Sequence, residues 1–441
     1  MKCVMVIDSS KRNMELNRTL GFKEATSLGI GAMVGAGIFV LSGVAAGKAG
    51  PSVLVAFTLA AVLEILLGLC YAELATRYPR AGGSYEYVRE TMGPLIGTLV
   101  GWAYWGAWLA ASSFVSQGFG NYLNALTGAS PILSAVILLL VLGALNIMGV
   151  KLSGIVQVCI VIIEILLLLG FFSMGFKHVD YSLYTPFAPK GLEGIFAAGL
   201  VGFLSMVGWD AIVAMGEEIK NPRKIIPRAI FGSISVVLLL YIGMLFVAIG
   251  VVPWGELGAS SVPIALASQQ FMGNVGPVIV NIIIVIALPA TANAFILSIS
   301  RTAFAMGRNG LLPQKISYIH PRLKTPVWAI VLGVGIQVLF TLFSSINIAV
   351  SATGFLYLLT FIFTMIAFFI SRRRLSINER QNHFKVPFYP VLPALALVLC
   401  ISLIIPVGSS GFFTGIVWLL IGATLFGLRL GIPANKLNLE E

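Results

Sequence analysis

Apolar residues along the chain gather into long runs separated by short polar stretches. Twelve runs reach the roughly 20 residues that a helix needs to cross a bilayer: 24–46, 52–76, 94–124, 131–149, 153–175, 193–216, 229–251, 276–306, 327–344, 348–370, 389–406 and 412–429. The third and eighth are longer than one crossing requires, which predicts tilt or extension beyond the hydrocarbon. The longest outer connections, 176–192 and 252–275, hold no soluble domain. Residues 85–91, in the first long inner loop, are predicted to form a short helix at the interface.

Composition narrows the class. Of the residues, 58% are hydrophobic and 10% charged, with a mean hydropathy of +0.97; an average soluble domain is about 25% charged. So few charges cannot cover the surface of a water-soluble protein of this size, and disorder needs the opposite composition. A net charge of +11 would suggest nucleic acid on a soluble protein. Here the basic residues sit in loops between apolar runs, and no nucleic-acid partner is expected. With the N-terminus inside, 25 of the 28 lysines and arginines fall on inner segments; Lys48, Lys177 and Lys190 fall outside. A misplaced run would scramble that alternation, so it supports twelve spans of a cell-membrane protein with both termini cytoplasmic. Cys3, Cys70, Cys159 and Cys400 show neither a CxxC spacing nor a paired outer set, so no disulfide framework or zinc site is expected. Residues 1–17 lack the apolar core of a cleaved signal. Met5 and Met14 are alternative starts.

Two runs carry signs of interruption. The first contains Gly29, Gly31, Gly35 and Gly37 within nine residues at mid-membrane depth. Each glycine in a helix interior costs up to about 1 kcal/mol relative to alanine. Close helix packing through the Gly31–Gly35 spacing is one reading. The other is a break, and the sixth run favours it: Gly199, Gly202 and Gly208 surround the segment 203–210, where Asp210 stands in apolar surroundings. Runs 1 and 6 are corresponding positions if the first ten runs form two halves of five. Paired interruptions of that kind point to a transporter binding site. Unwound backbone in lipid needs a partner or a water-lined cavity. Its free amides attract a carboxylate and its free carbonyls an ammonium, so an amino acid would satisfy both.

The residues then match a known pattern. GIGAMVGAGIFVLSG at 29–43 resembles the first-helix signature of the amino acid–polyamine–organocation superfamily. AGP at 49–51 and GLCYAELATRYPRAGGSYEY at 68–87 resemble its cationic amino acid transporter branch and prokaryotic relatives. EEIKNPRKIIPRAI at 217–230 and SRTAFAMGRNGLLP at 300–313 are similar to the family's loops after helices 6 and 8. The similarity covers essentially the whole chain, with the blocks in family order. It implies an all-α integral membrane protein with a LeuT-like fold and discontinuous helices 1 and 6. Residues 23–175 and 176–370 would be two inverted five-helix repeats, and 389–429 two peripheral helices. Residues 1–22, 371–388 and 430–441 would be cytoplasmic. It also implies alternating access with an amino acid held at the two breaks. Carried over, the carboxylate site is the main chain of Met33, Val34, Gly35, Ala36 and Gly37, and the amino group goes to carbonyls of Phe203, Leu204 and Met206. Phe203 is the nearest aromatic for an outer gate, although Leu204 takes the gate position of some relatives.

Charges within the runs need reasons. A carboxylate at a helix centre costs about 2.5–3.5 kcal/mol or more. Glu164 stands alone in the fifth run, where proton-coupled relatives carry a lysine near the ion place between helices 1 and 8. It can carry the proton, attract a cationic substrate or ion, or be a protonated carboxyl bonded to a neighbouring helix. Thr291 and Asn293 face the same region if the family fold holds. Glu64, in the second run, is either functional or a structural hydrogen-bonding group. Asp210 follows the break and is predicted to cap the second half-helix of run 6, with cation attraction as the alternative; Trp209 precedes it as a gating candidate. Glu217 and Glu218 either pair with loop arginines as an inner gate or are solvated. Tyr and Trp residues at 102–108 are read as packing or interface groups.

The function expected is secondary active amino acid transport, not an enzyme activity, with a proton as coupling ion and sodium the alternative. Exchange and polyamine transport are the nearest rivals. A channel would show a repeated pore loop or charge rings, and an enzyme clustered catalytic side chains. His178, His320 and His383 are scattered, no Walker motif is present, and no cofactor or metal is expected. Cationic and small or branched neutral substrates both remain open. Oligomeric state, monomer included, is not legible.

Overall fold

The apolar runs fold as helices whose ends follow local chemistry. The computed structural model describes residues 18–39, 41–374 and 384–430, with the backbone only for 36, 150–157, 347 and 427–430. Of the predicted cytoplasmic segments 1–22, 371–388 and 430–441, residues 1–17, 375–383 and 431–441 lie outside the described residues. The helices are α1 (Phe22–Met33), α2 (Ala36–Phe39), α3 (Leu41–Ala49), α4 (Val53–Arg77), α5 (Ser84–Met92), α6 (Pro94–Thr127), α7 (Pro131–Met148), α8 (Val150–Gly175) and α9 (Gly191–Met206). They continue as α10 (Ala211–Ala214), α11 (Pro222–Val251), α12 (Trp254–Ala259), α13 (Pro263–Met272), α14 (Val275–Arg308), α15 (Val327–Phe343), α16 (Ile346–Arg373), α17 (Val391–Ser402) and α18 (Gly408–Leu430). Among the described residues there is no named strand, only a parallel bridge between Leu20 and Ile219.

Each predicted run falls on helix: the first on α1, α2 and α3, the sixth on the pair α9 and α10, and the others each on one principal helix. Proline opens α6, α7, α11 and α13, where its missing N–H would have no helical partner anyway. Ser130 and Ser345 cap α7 and α16 through their side chains, supplying an acceptor to amides that the first turn leaves open. Among the described residues, eight helical segments are long and apolar enough to cross a membrane, and α15 is a shorter apolar helix. The outer surface agrees: Leu239, Phe343 and Ile405 are 75%, 85% and 86% exposed, a placement that lipid rewards and water does not.

Packing divides the helices into two groups. α4 packs against α9 and α11, and α1 against α11, while α6 packs against α14 and α16. α1 also touches α8 and α14, so the first broken helix lies between the groups. α18 lies on α16 and α6, fastened by a reciprocal pair of bonds. The Trp102 indole donates to the Trp418 carbonyl at 2.8 Å, and the Trp418 indole returns a bond to the Trp102 carbonyl at 2.9 Å. The two rings stack 4.7 Å apart. Trp102, Trp105 and Trp108 are all buried, so the 102–108 aromatics pack as expected. The predicted interfacial helix is α5, buried along most of its length against α6 and α16. The connection 252–275 is more structured than its sequence suggested, forming α12 and α13.

Candidate functional site

The glycine-rich first run does break. α1 ends at Met33, Val34 is extended, and a new turn begins at Ala36. The loosened carbonyls are taken by side chains from four other helices. The Thr291 hydroxyl of α14 lies 2.6 Å from the Gly31 carbonyl and 2.8 Å from that of Val34. Tyr241 of α11 donates to the Met33 carbonyl at 2.6 Å. The Ser205 hydroxyl of α9 lies 2.9 Å from the Gly37 carbonyl and 2.7 Å from that of Val201 in its own preceding turn, and Tyr122 of α6 donates to the Phe39 carbonyl at 2.7 Å. Four hydroxyls thus do what water would do outside a membrane.

The sixth run breaks as well, between α9 and α10, with Val207 extended and Gly208 at φ +139°. The glycine is needed there twice over. That φ is unfavourable for a side chain, and a Cβ would lie 2.7 Å from the Ala32 carbonyl group. At Gly37 a Cβ would meet the Ser205 main chain at 2.7–2.8 Å. The two broken helices therefore touch backbone to backbone. This settles the choice left open at the first run: its glycines serve both a break and a close approach.

The predicted site residues come together around this contact, with adjustments. The Val34 amide donates back to Ile30, and Met33 still belongs to α1. Gly35, Ala36 and Gly37 open the next turn, where the first amides have no partner inside the helix. On the other side, the Phe203 carbonyl already accepts the Val207 amide. Leu204 and Met206 are buried beside the break; the amides four residues on, of Gly208 and Asp210, have left the helix. As gate candidates, Phe203 packs edge-on to Phe361 with ring centroids 5.9 Å apart, and Leu204 faces Gly354 of α16.

Asp210 does not cap the second half-helix: its side chain makes no cap bond. The reason is conformational. A capping residue is extended, so that its side chain turns back over the first amides, whereas Asp210 is already helical at φ −68°, ψ −11°. Its buried carboxylate faces the Tyr104 hydroxyl and the Gly208 main chain without a well-formed hydrogen bond, and Tyr104 in turn faces the Trp108 indole; the Tyr357 hydroxyl is buried nearby. Trp209, by contrast, donates its indole N–H to Glu64 at 2.8 Å.

Glu164 is fully buried on α8, and neither oxygen has a partner among the described residues. α8 packs against α1, α11 and α14, and Tyr241 is within electrostatic reach of the carboxyl. Asn293 accepts from the Asn146 amide at 2.8 Å. The residues that sequence reasoning missed are Tyr241, Ser205, Tyr122 and Tyr357; Tyr104, read as a packing group, is buried and also faces Asp210. The signal of the missed residues was weak: a lone tyrosine in an apolar helix reads equally well as packing, and a lone serine can bond its own preceding turn, as Ser205 also does to Val201.

At the arginine-bearing end, Glu217 and Glu218 are paired rather than solvated. Arg301 donates through Nε and Nη2 to the two Glu218 oxygens, and both side chains are buried. Arg308 bonds Glu217 at 2.7 Å, and the same Glu217 oxygen accepts the Ala81 amide at 3.1 Å. Thr19 and Leu20 donate their amides to the Glu218 carbonyl at 2.9 and 3.0 Å. Nearby, burial pushes the Tyr85 hydroxyl up to about 12, so it stays protonated and accepts the Asn309 amide at 2.9 Å.

Among the described residues, no group of three or more metal-binding side chains occurs. The family model for amino acid permeases matches residues 20–429. The chain is 30% identical to the branched-chain amino acid permease BcaP of Bacillus subtilis, over 96% of this chain and 95% of the relative. It is 29% identical to the methylthioribose transporter of the same organism, over 97% and 96%. It is also 31% identical to cationic amino acid transporter 4 of Mus musculus, over 82% and 61%.

Proposed function

Because the chain belongs to the amino acid permease family of the amino acid–polyamine–organocation superfamily, we propose that it takes up amino acids by proton-coupled alternating access. The family and the apolar helices make it a multi-pass membrane protein. Twelve spans, two inverted five-helix repeats and cytoplasmic termini belong to the same proposal, supported by the distribution of basic residues. The observation that carries the reading is the backbone contact between two broken helices, with amides on one side and carbonyls on the other. The amides of Gly35, Ala36 and Gly37 take the substrate carboxylate, and the carbonyls of Leu204 and Met206 its ammonium. This main-chain clamp reads the group common to all amino acids.

Glu164 is the coupling group in this reading. A carboxyl buried without a partner between α1, α11 and α14 is costly unless something binds it in part of the cycle. A proton from the outside suits it, since protonation removes the buried charge. The Glu218–Arg301 and Glu217–Arg308 pairs close the inner side and must open for release. For the side chain of the substrate, the buried Asp210 carboxylate, which faces no cation among the described residues and sits beside Tyr104 and Tyr357, favours a cationic group. The similarity to a branched-chain permease supports a neutral one.

The test is counterflow and gradient-driven uptake of labelled arginine, leucine and alanine in proteoliposomes, with the parent and Glu164→Gln. Uptake driven by an inward proton gradient in the parent, lost in Glu164→Gln while counterflow persists, is the expected result. Driven uptake unchanged by the substitution would remove Glu164 from coupling. Counterflow without any response to the gradient would make the protein an exchanger. Absence of flux for every amino acid would overturn the substrate class and direct attention to polyamines.

A further inference from the structure

We propose that Glu64 is a positioning residue for the second helix break, acting through Trp209; this rests on reading the breaks as the substrate site. Glu64 lies midway along α4 and is fully buried. One of its oxygens accepts the Trp209 indole N–H at 2.8 Å. The indole is held on its other sides by rings: it meets Tyr71 edge-on at 5.1 Å and lies nearly parallel to Phe361 at 6.2 Å. Tyr71 and Phe361 are themselves in edge contact at 5.4 Å. Trp209 therefore has one hydrogen bond and a close-fitting slot, and the hydrogen bond reaches it from a different helix.

Its place in the chain gives this anchorage a consequence. Gly208, immediately before it, is the residue whose main chain rests on the Ala32 carbonyl. Asp210, immediately after, starts the turn into α10 with a buried carboxylate that makes no cap bond. Fixing the indole fixes the residue between these two, and so the path by which the chain leaves α9. That path decides where the Leu204 and Met206 carbonyls are left facing. Glu64 thus acts on substrate through Trp209, without a contact of its own.

A carboxylate is an expensive way to supply one acceptor in a membrane helix. Two roles for it can be separated. If the acceptor oxygen matters, glutamine replaces glutamate, because its carbonyl can take the indole N–H and its amide can face Asp210, which lies within electrostatic reach of Glu64. If the negative charge matters, glutamine fails as leucine does. Among the described residues, the groups that bond to or couple with Glu64, namely Trp209, Asp210, Cys400 and Tyr357, include no cation. That composition favours the acceptor role.

The experiment measures KM and kcat of counterflow, for the amino acid that the parent carries, in Glu64→Gln, Glu64→Leu, Trp209→Phe and the Glu64→Leu/Trp209→Phe double variant. Monodisperse protein is reconstituted in equal amounts. Glu64→Leu and Trp209→Phe are each expected to raise KM roughly tenfold, the scale of one hydrogen bond to a charged group. The double variant should be no worse than either alone, and Glu64→Gln should stay within about twofold of the parent. Equal loss in Glu64→Gln and Glu64→Leu, multiplying effects in the double variant, or unchanged KM with only a lower folded yield would each overturn the proposal. A parent without flux would overturn the substrate reading and this inference with it; flux in the parent confines every other outcome to Glu64.

Discussion

Glu218 and Glu164 are the same residue with the same burial and opposite surroundings. Glu218 is gripped by both arms of the Arg301 guanidinium, and its carbonyl receives two amides from the N-terminal segment. Glu164 has nothing on either oxygen among the described residues. A buried ion pair satisfies itself, so Glu218 describes one state of the molecule and resists leaving it. A buried carboxyl without a partner is incomplete by itself, and it becomes complete only with something that arrives. Under the proposed function, the first would serve as a closed gate and the second as a site for a small exchangeable ligand.

The comparison can be broken in three places. The largest effect is expected for Arg301→Met, which strands the Glu218 charge in a dry interior. Losing one partner of a buried pair costs about 3–5 kcal/mol, read as a large drop in thermal stability in detergent. Next is Thr291→Val, nearly the same shape without the hydroxyl. It leaves the Gly31 and Val34 carbonyls short of a donor, for a loss of roughly 1–3 kcal/mol by the same measurement. The smallest is Glu164→Leu. Replacing a partnerless carboxyl by an apolar group should leave stability within about 1 kcal/mol of the parent, or raise it, while gradient-driven uptake disappears. If Glu164→Leu destabilises as Arg301→Met does, Glu164 is a structural group and the contrast fails.

Much of the framework was legible because lipid imposes a simple rule: a crossing needs about 20 apolar residues, and the runs ended close to where the helices do. The break in the sixth run was readable from Gly208 beside Asp210. The break in the first run was ambiguous, since Gly31 and Gly35 suit close packing equally well; only the meeting of Gly37 with the Ser205 main chain shows that both demands fall on one stretch. Asp210 misled because capping depends on the φ and ψ of the residue, which its identity does not specify. The pairing of Glu64 with Trp209, 145 positions apart, and the service of Tyr241 and Tyr122 to the first break are products of tertiary folding. No local pattern encodes which distant carbonyl a buried hydroxyl will meet.

The mutual bonds of Trp102 and Trp418 have a practical consequence. α18 cannot slide or turn against α6 without losing both bonds and the ring stack together, so it travels as a rigid outrigger of that helix. Phe413 and Leu420, on the same helix, point outward at 71% and 59% exposure. A spin label or a crosslinked fiducial at either position would report the orientation of α6 itself, while leaving every residue near the broken helices untouched.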